Sequence, residues 1–389
     1  MDAAAPSGTI LIEGWRFVPH SYAIVNQWQC LELLRRGNRL AMHDLPYFRK
    51  AWKPIRGLHD DPTEALLARI PPLPEGERAQ SVLRISVPAR LQPSPHGPTT
   101  VFCAADCGWM PRAAIENRMP LKQAHAGTDV RLITPSRWSH WGLLRSGADP
   151  ERVSIVPHGV DTSLFRPASA DERAEIRREL GWSGKFVFLN VSAMTGNKGI
   201  IMLLQAFAGA ARANGDAVLV LKGLDDLYQS VKSVRQKLAQ LGGEVENASR
   251  GRIQCIGRSL TFGVLAQLYR GADVYVSPYH SESFNLPVLE AVASGLPVIC
   301  TAGGPTDDFT TPEVAHRIES KIVARKGGAH RDQEEVVLTP NYRHLKTLMR
   351  RVMEDRALAA SARSHGPALV QANFTWGHAV DRLLAALHR

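Results

Sequence analysis

Apolar residues in this chain fall into short strand-like runs that alternate with longer amphipathic segments, and the alternation restarts near residue 160. Residues 9–13 read as a buried strand. The segment SYAIVNQWQCLELLRR that follows places Ile24, Trp28, Leu31 and Leu34 at helical spacing. Ser21 is expected to cap that helix and Gly37 to stop it, with a second strand over 39–43. From 44 to 80 the pattern breaks down, prolines are frequent (PPLPEGE at 71–77), and only 63–70 reads as helical. Strand-like runs resume at 81–87, 99–104 and 130–134, each followed by a turn or helix, which calls for a parallel sheet.

The stretch RVSIVPHGVDTSLFRP, 152–167, reads as a strand followed by turn residues and a proline, and is the expected linker. The charged helix DERAEIRREL follows it. Strands are then expected at 186–191, 217–222, 253–256, 274–277 and 297–300 with helices between, and three helical patterns near 344–354, 356–372 and 376–388 close the chain. No period of 20–50 residues repeats. The fold class is α/β, with one domain over 1–160 and a second over 170–374.

Length agrees, since 389 residues are enough for two α/β domains. No run approaches the roughly 18 apolar residues of a membrane span, and the N-terminus lacks a basic leader with an apolar stretch, so a cytoplasmic location is expected. The net charge of +10 favours phosphates, nucleotides and anionic lipid headgroups as partners. Nucleic acid is not expected, because the cations are spread along the chain without a basic tail or finger spacing. The five cysteines are expected as reduced, buried thiols, and the spacing of Cys103 and Cys107 does not suit zinc. Asp225-Asp226 and Asp307-Asp308 lack an Asp-x-Asp pattern, so no essential metal is expected.

Candidate chemistry concentrates in DVYVSPYHSESFNLPVLEAVASGLPVICTAGGPTDDF, 273–309. A buried strand runs into a loop with Glu282, Asn285 is expected to cap a helix with Pro287 in its first turn, and Glu290 lies one turn on. After Gly295 a further strand opens onto Gly303-Gly304. Both turns lie at carboxyl ends of parallel strands, where ligands of open α/β sheets collect, and a helix N-terminus there favours phosphate or a polar sugar. A second site, NVSAMTGNKGI at 190–200, puts Lys198 at a strand–loop–helix turn, where it can neutralise a leaving pyrophosphate. No Gly-x-Ser-x-Gly elbow, Walker loop or Gly-x-Gly-x-x-Gly fingerprint occurs.

Glu282, seven intervening residues and Glu290, joined to the ASGLPVICTAGG run and the upstream AD-V-x-V-S-P strand, resembles the family 4 (group 1) retaining glycosyltransferases of the GT-B fold. The similarity covers residues 130–389 well, including VPHGVD and the closing FTW segment, and the first domain only in outline. It implies two Rossmann-like domains facing a cleft, with the terminal helix, 375–389, returning to the first. It also implies that Glu290 accepts bonds from the donor ribose, while Glu282 and the loop Ser283, Phe284, Asn285 and Leu286 hold the donor sugar. A solvated helix carboxylate and a loop cap are the plain alternatives for the two glutamates. The family places an arginine five residues before the lysine, whereas position 193 here is Ala, which leaves Lys222 and Arg258 as candidates for the second phosphate cation. Ile256 and Gly257 would border the nucleobase, and Gly304 and Thr306 would lie near diphosphate or sugar, although turn formation alone would explain the glycine pair.

In the first domain GWRFVPHSY stands where the family carries a glycine-rich acceptor loop. Trp15 is a candidate for stacking on a sugar, His20 for acceptor chemistry at a helix N-terminus, and Asp106, after VFCAAD, for orienting the acceptor hydroxyl. The resemblance thus implies a metal-independent transferase with a nucleotide-sugar donor, UDP- or GDP-sugar, and no tightly bound cofactor. The acceptor would be a saccharide or lipid-linked saccharide of cell-surface polysaccharide synthesis, with peripheral contact to an anionic membrane. A GT-B glycoside phosphorylase and a catalytically silent glycan-binding scaffold are the alternatives.

Overall fold

Two parallel sheets of six strands carry the structure. The computed structural model describes residues 8–212, 215–326 and 334–388. Residues 1–7, the start of the N-terminal segment expected to lack a leader, and Arg389, the end of the terminal segment, lie outside the described residues. One unit comprises Met1–Gly159, Lys326–Glu335 and Trp376–Arg389, the other Val160–Arg325 and Val336–Thr375.

The first unit runs β1 (Thr9–Gly14), α1 (Ser21–Arg35), β2 (Arg39–Asp44), α2 (Asp61–Ala68), β3 (Ser81–Ile85), β4 (Thr99–Phe102), α3 (Leu121–Ala126), β5 (Arg131–Thr134), α4 (Arg137–Arg145) and β6 (Val153–Ile155). Its sheet order is β2-β1-β3-β4-β5-β6. All six positions of β1 are buried, as a central parallel strand covered on both faces requires. Burial extends to Glu13, whose carboxylate pairs with Arg84 of β3 at 2.6 Å and accepts from Ser94 Oγ at 2.7 Å. Arg84 in turn donates to the carbonyls of Arg90 and Gln92, so this ion pair ties the loop after β3 to the sheet.

The second unit runs α5 (Ala170–Glu179), β7 (Phe186–Val191), α6 (Ile200–Ala211), β8 (Ala217–Lys222), α7 (Asp225–Tyr228), α8 (Ser230–Leu241), α9 (Gly243–Ser249), β9 (Ile253–Ile256), α10 (Phe262–Gly271), β10 (Val274–Ser277), α11 (Leu286–Ala293), β11 (Val298–Thr301), β12 (Ala315–Ile318), β13 (Ser320–Lys326), β14 (Glu334–Pro340), α12 (Tyr342–Glu354) and α13 (Ala357–Asn373). The sheet order is β12-β11-β10-β7-β8-β9, and β13 and β14 form a separate two-stranded sheet. Phe188, Leu203, Phe207, Leu219, Val276, Ile299, Leu345 and Met349 share its core. At the unit's start Ser169 and Glu172 form a reciprocal capping box on α5. At its two ends, Val160 bridges Thr375 and donates its N–H to Phe374 O at 2.9 Å. The last helix, α14 (Trp376–Leu387), belongs to the first unit, where Trp376 stacks on Trp28 of α1 and Asp381 pairs with Arg36.

Several expectations are corrected. The cap of α1 is His20, whose Nδ1 accepts from Tyr22 N–H at 3.3 Å, and Ser21 is already helical. The strands expected to reach Val87 and Ala104 stop at Ile85 and Phe102. β12 and the exposed, charged β13 carry no continuous apolar run and so were not anticipated. All five thiols are free, but only Cys30, Cys103 and Cys300 are buried, while Cys255 is exposed because β9 is an edge strand.

Removing one partner of the Glu13–Arg84 pair strands a charge in the sheet. Arg84→Met is expected to cost about 3–5 kcal/mol, and the double variant Glu13→Leu/Arg84→Met to recover most of it. Urea unfolding followed by tryptophan fluorescence measures both.

Candidate active site

In the second unit, the loops that carry the sequence-predicted residues leave the carboxyl ends of adjacent strands β10, β7, β8 and β9. The loop after β7 tightens into a single 3-10 turn, Gly196–Lys198, and Gly199 enters α6 with φ +68°. A Cβ on Gly199 would stand 1.9 Å from Pro278 O, so the loops after β7 and β10 touch backbone to backbone. Asn197 seals the contact. Its carbonyl accepts from His280 N–H at 2.7 Å and its side-chain amide donates to Ser281 O at 3.1 Å. The next residue, Lys198, then meets Glu282, with Nζ donating to Oε1 at 2.6 Å in a mostly buried ion pair.

Asn285 stands at the start of α11 in the left-handed region (φ 75°) and makes no capping bond with its side chain, contrary to expectation. Its Nδ2 instead donates to Ser277 Oγ at 3.0 Å, pinning the loop to the end of β10. Phe284 is buried on Phe309, whereas Ser283 and Leu286 are half-buried. One turn into α11, Glu290 is 9% exposed and accepts from Tyr269 Oη at 2.6 Å. Burial pushes its carboxyl up to about 7 against the opposing pull of that bond. The solvated-carboxylate alternative fails for Glu290. Tyr269 was missed in the sequence, where it reads as one more apolar position of an amphipathic helix.

Lys222 ends β8 opposite Val191 in register, and its carbonyl accepts from Ser192 N–H at 3.0 Å, beside Ala193. It is 6% exposed rather than a surface charge, and Nζ donates to Gly223 O. Burial lowers its ammonium to about 8, with Asp226 and then Asp225 opposing. Gly257 is buried and packed so closely on Asp225 that a side chain there would collide with it, Ile256 is half-buried, and Arg258 is exposed. Gly304 packs under Tyr279 and Leu338, which accounts for its missing side chain, and Thr306 Oγ1 is engaged by Tyr279 Oη at 2.8 Å. The structure thus joins Lys198 directly to Glu282, while Lys222 ends β8, Arg258 follows β9 and Glu290 lies in α11 after β10. Among the described residues no group of three His, Cys, Asp or Glu is placed to hold a metal.

In the first unit Trp15 is 1% exposed, and its indole donates to Pro46 O at 2.9 Å. Its ring is packed by His20, Tyr22, Tyr47 and Trp52, so it presents no face for a sugar, which corrects the stacking expectation. His20 is half-buried, caps α1 and lies 5.3 Å from the Trp52 ring. Asp106 is half-buried beyond β4, with its carbonyl held by Trp138 Nε1 at 2.9 Å. Tyr22 is close enough to feel the Asp106 charge, which together with the stronger effect of burial holds its phenol well above the ordinary range.

Residues 172–321 match the family model described as glycosyl transferases group 1. The match lies within the second unit and covers less than half of the chain. Curated relatives of this chain include the D-inositol 3-phosphate glycosyltransferase of Segniliparus rotundus, 34% identical over 159 residues (40% of this chain, 33% of the relative). The protein of the same name from Actinosynnema mirum is 28% identical over 261 residues (61% and 52%). The matches thus span a third to a half of these relatives' length. Among solved structures, Anabaena Alr3699/HepE in complex with UDP and glucose superposes with a TM-score of 0.69 over 98% of this chain and 99% of its own, at 14% identity. That likeness is one of fold, the GT-B class with two Rossmann-like sheets.

A carboxyl raised from 4.5 to about 7 binds its proton more tightly when folded, so stability falls as pH rises through that window. Glu290→Gln is therefore expected to raise stability at pH 8 by about 3 kcal/mol and to leave it nearly unchanged at pH 4.5. Thermal melts at both pH values check this.

Proposed function

We propose that the transferase moves a hexosyl group from a UDP- or GDP-sugar to a saccharide or lipid-linked saccharide acceptor, with retention of anomeric configuration. The observation that carries this reading is the 2.6 Å Lys198–Glu282 pair at the carboxyl edge of the second sheet, in the loop that leads into α11 and its buried Glu290. A fold neighbour that binds UDP and glucose supports the choice of donor class.

In this mechanism Glu290 accepts the ribose hydroxyls, with Tyr269 fixing one of its oxygens and leaving the other directed at the ligand. Glu282 holds Lys198 through Oε1 and offers its second oxygen to a hydroxyl of the donor sugar. As the bond from the anomeric carbon to the diphosphate oxygen breaks, negative charge grows on the diphosphate. Lys198 stabilises it, and Lys222 supplies the second cation in place of the arginine that position 193 lacks. The acceptor oxygen bonds the anomeric carbon from the same face, and its proton passes to the departing diphosphate. His20 and Asp106 are assigned to the acceptor, and Arg258 to the base or diphosphate. No protein nucleophile is required. The acceptor is placed at an anionic membrane surface in polysaccharide synthesis, consistent with the net charge of +10.

Melting temperatures measured against UDP-, GDP-, ADP- and dTDP-sugars test the donor, and a selective rise with one base is expected. A rise with inorganic phosphate or free oligosaccharide alone would replace this reading with a phosphorylase or a silent scaffold. Lys198→Ala is expected to lower kcat about 100- to 1000-fold at saturating donor, and near-full turnover would overturn the mechanism. Because the Lys222 ammonium is lowered to about 8, it is charged below that pH and loses its proton above it. Donor affinity is therefore expected to weaken as pH rises through about 8, and Lys222→Met to weaken binding at pH 7 and remove that limb in titration calorimetry.

A further inference from the structure

Residues 46–58 of the first unit, PYFRKAWKPIRGL, carry Arg49, Lys50, Lys53 and Arg56 and no acid. The loop is pinned at intervals. Tyr47 Oη donates to Arg16 O at 2.7 Å, Ile55 N–H donates to Phe17 O at 2.6 Å, and Glu64 accepts from the N–H groups of Gly57 and Leu58 at 2.6 and 3.0 Å. Trp52 is the buried anchor, packed on Trp15 and His20.

Between these pins the loop presents its charge outward. Phe48 is 50% exposed, and Arg49, Lys50, Lys53 and Arg56 are all exposed. Arg56 lies 3.4 Å over the Phe17 ring, while Arg49, Lys50 and Lys53 make no ion pair among the described residues. The flanking acids are already committed or lie beyond the loop: Asp44 is held by Arg16, Asp60 caps α2, and Asp61 stands in that helix's first turn. The fixed loop holds unneutralised cations around one large exposed apolar side chain. It is complementary to a surface that is anionic outside and apolar within.

We propose that this loop seats the transferase on an anionic bilayer, with Phe48 entering the interface and Arg49, Lys50 and Lys53 against the headgroups. A bilayer fits better than nucleic acid, because Phe48 is the loop's one exposed ring, Tyr47 being pinned and Trp52 buried. The loop is one ring contact from His20, so membrane seating would bring a lipid-linked acceptor to the residue assigned to it. The inference deepens the acceptor reading and rests on it for its meaning, but vesicle binding needs neither donor nor turnover. A failed donor assay and a failed vesicle assay therefore mark different errors.

The test is co-sedimentation of the full chain with vesicles of mixed phosphatidylglycerol and phosphatidylcholine, against phosphatidylcholine alone. Binding to the anionic vesicles alone, weakened by salt, is expected. Arg49→Glu/Lys50→Glu/Lys53→Glu should lose at least about tenfold in affinity, and Phe48→Ser several-fold, with unchanged melting temperatures. Lys321→Glu/Arg325→Glu/Arg343→Glu, an equal charge change at exposed sites of the second unit, should lose little. The proposal is overturned if the loop variant binds like the unaltered protein, if the control variant loses as much, or if oligonucleotides bind and vesicles do not.

Discussion

The loops after β7 and β10 approach so closely that position 199 has room only for hydrogen, with Pro278 O where a Cβ would be. Much of the second unit's site follows from this contact. It forces the left-handed turn into α6, brings Asn197 to the 280–281 backbone, and sets Lys198 beside Glu282. A lysine on a freely moving loop samples many rotamers, and here the Glu282 carboxylate restricts that freedom. The pairing also keeps two half-buried charges from destabilising the unit separately.

Glu290 and Lys222 show the opposite economy. Each is buried with one hydrogen-bond partner, Tyr269 for Glu290 and the Gly223 carbonyl for Lys222, and each is pushed toward its neutral form, for Lys222 despite the opposing charges of Asp226 and Asp225. Neither arrangement serves stability, since an apolar residue of similar size would cost less to bury. Strongly perturbed titrating groups cluster at functional sites. Glu290 lies one turn into α11, which follows β10, and Lys222 ends β8 of the same sheet.

How much of this was legible depended on whether the signal was periodic, local or tertiary. The strands of the second sheet read directly because parallel strands covered on both faces are continuous apolar runs, as in Phe186–Val191 and Ala217–Lys222. β12 escaped because only two of its four residues are buried. Asn285 was placed correctly at the head of α11, yet its bond to Ser277 depends on a strand end eight residues earlier. Tyr269 and Asn197 act through contacts 21 and 84 residues away in sequence, so no spacing rule could expose them. The burial of Lys222 was equally hidden, since a strand-end lysine looks alike in sequence whether it is solvated or enclosed.

Trp15 is the instructive failure, because an aromatic residue at a strand end suggested a sugar platform and instead became the hub of a packed cluster. Its burial has a consequence for the residues around it. With its indole bonded to Pro46 O and its faces covered, Trp15 holds the start of the 46–58 loop, the Trp52 anchor and the His20 cap in one rigid group. A glycine-rich loop at this position would leave the backbone free to approach a ligand. A tryptophan hub fixes side chains instead, and what the cluster displays at its margin is His20 on one side and the cationic loop on the other.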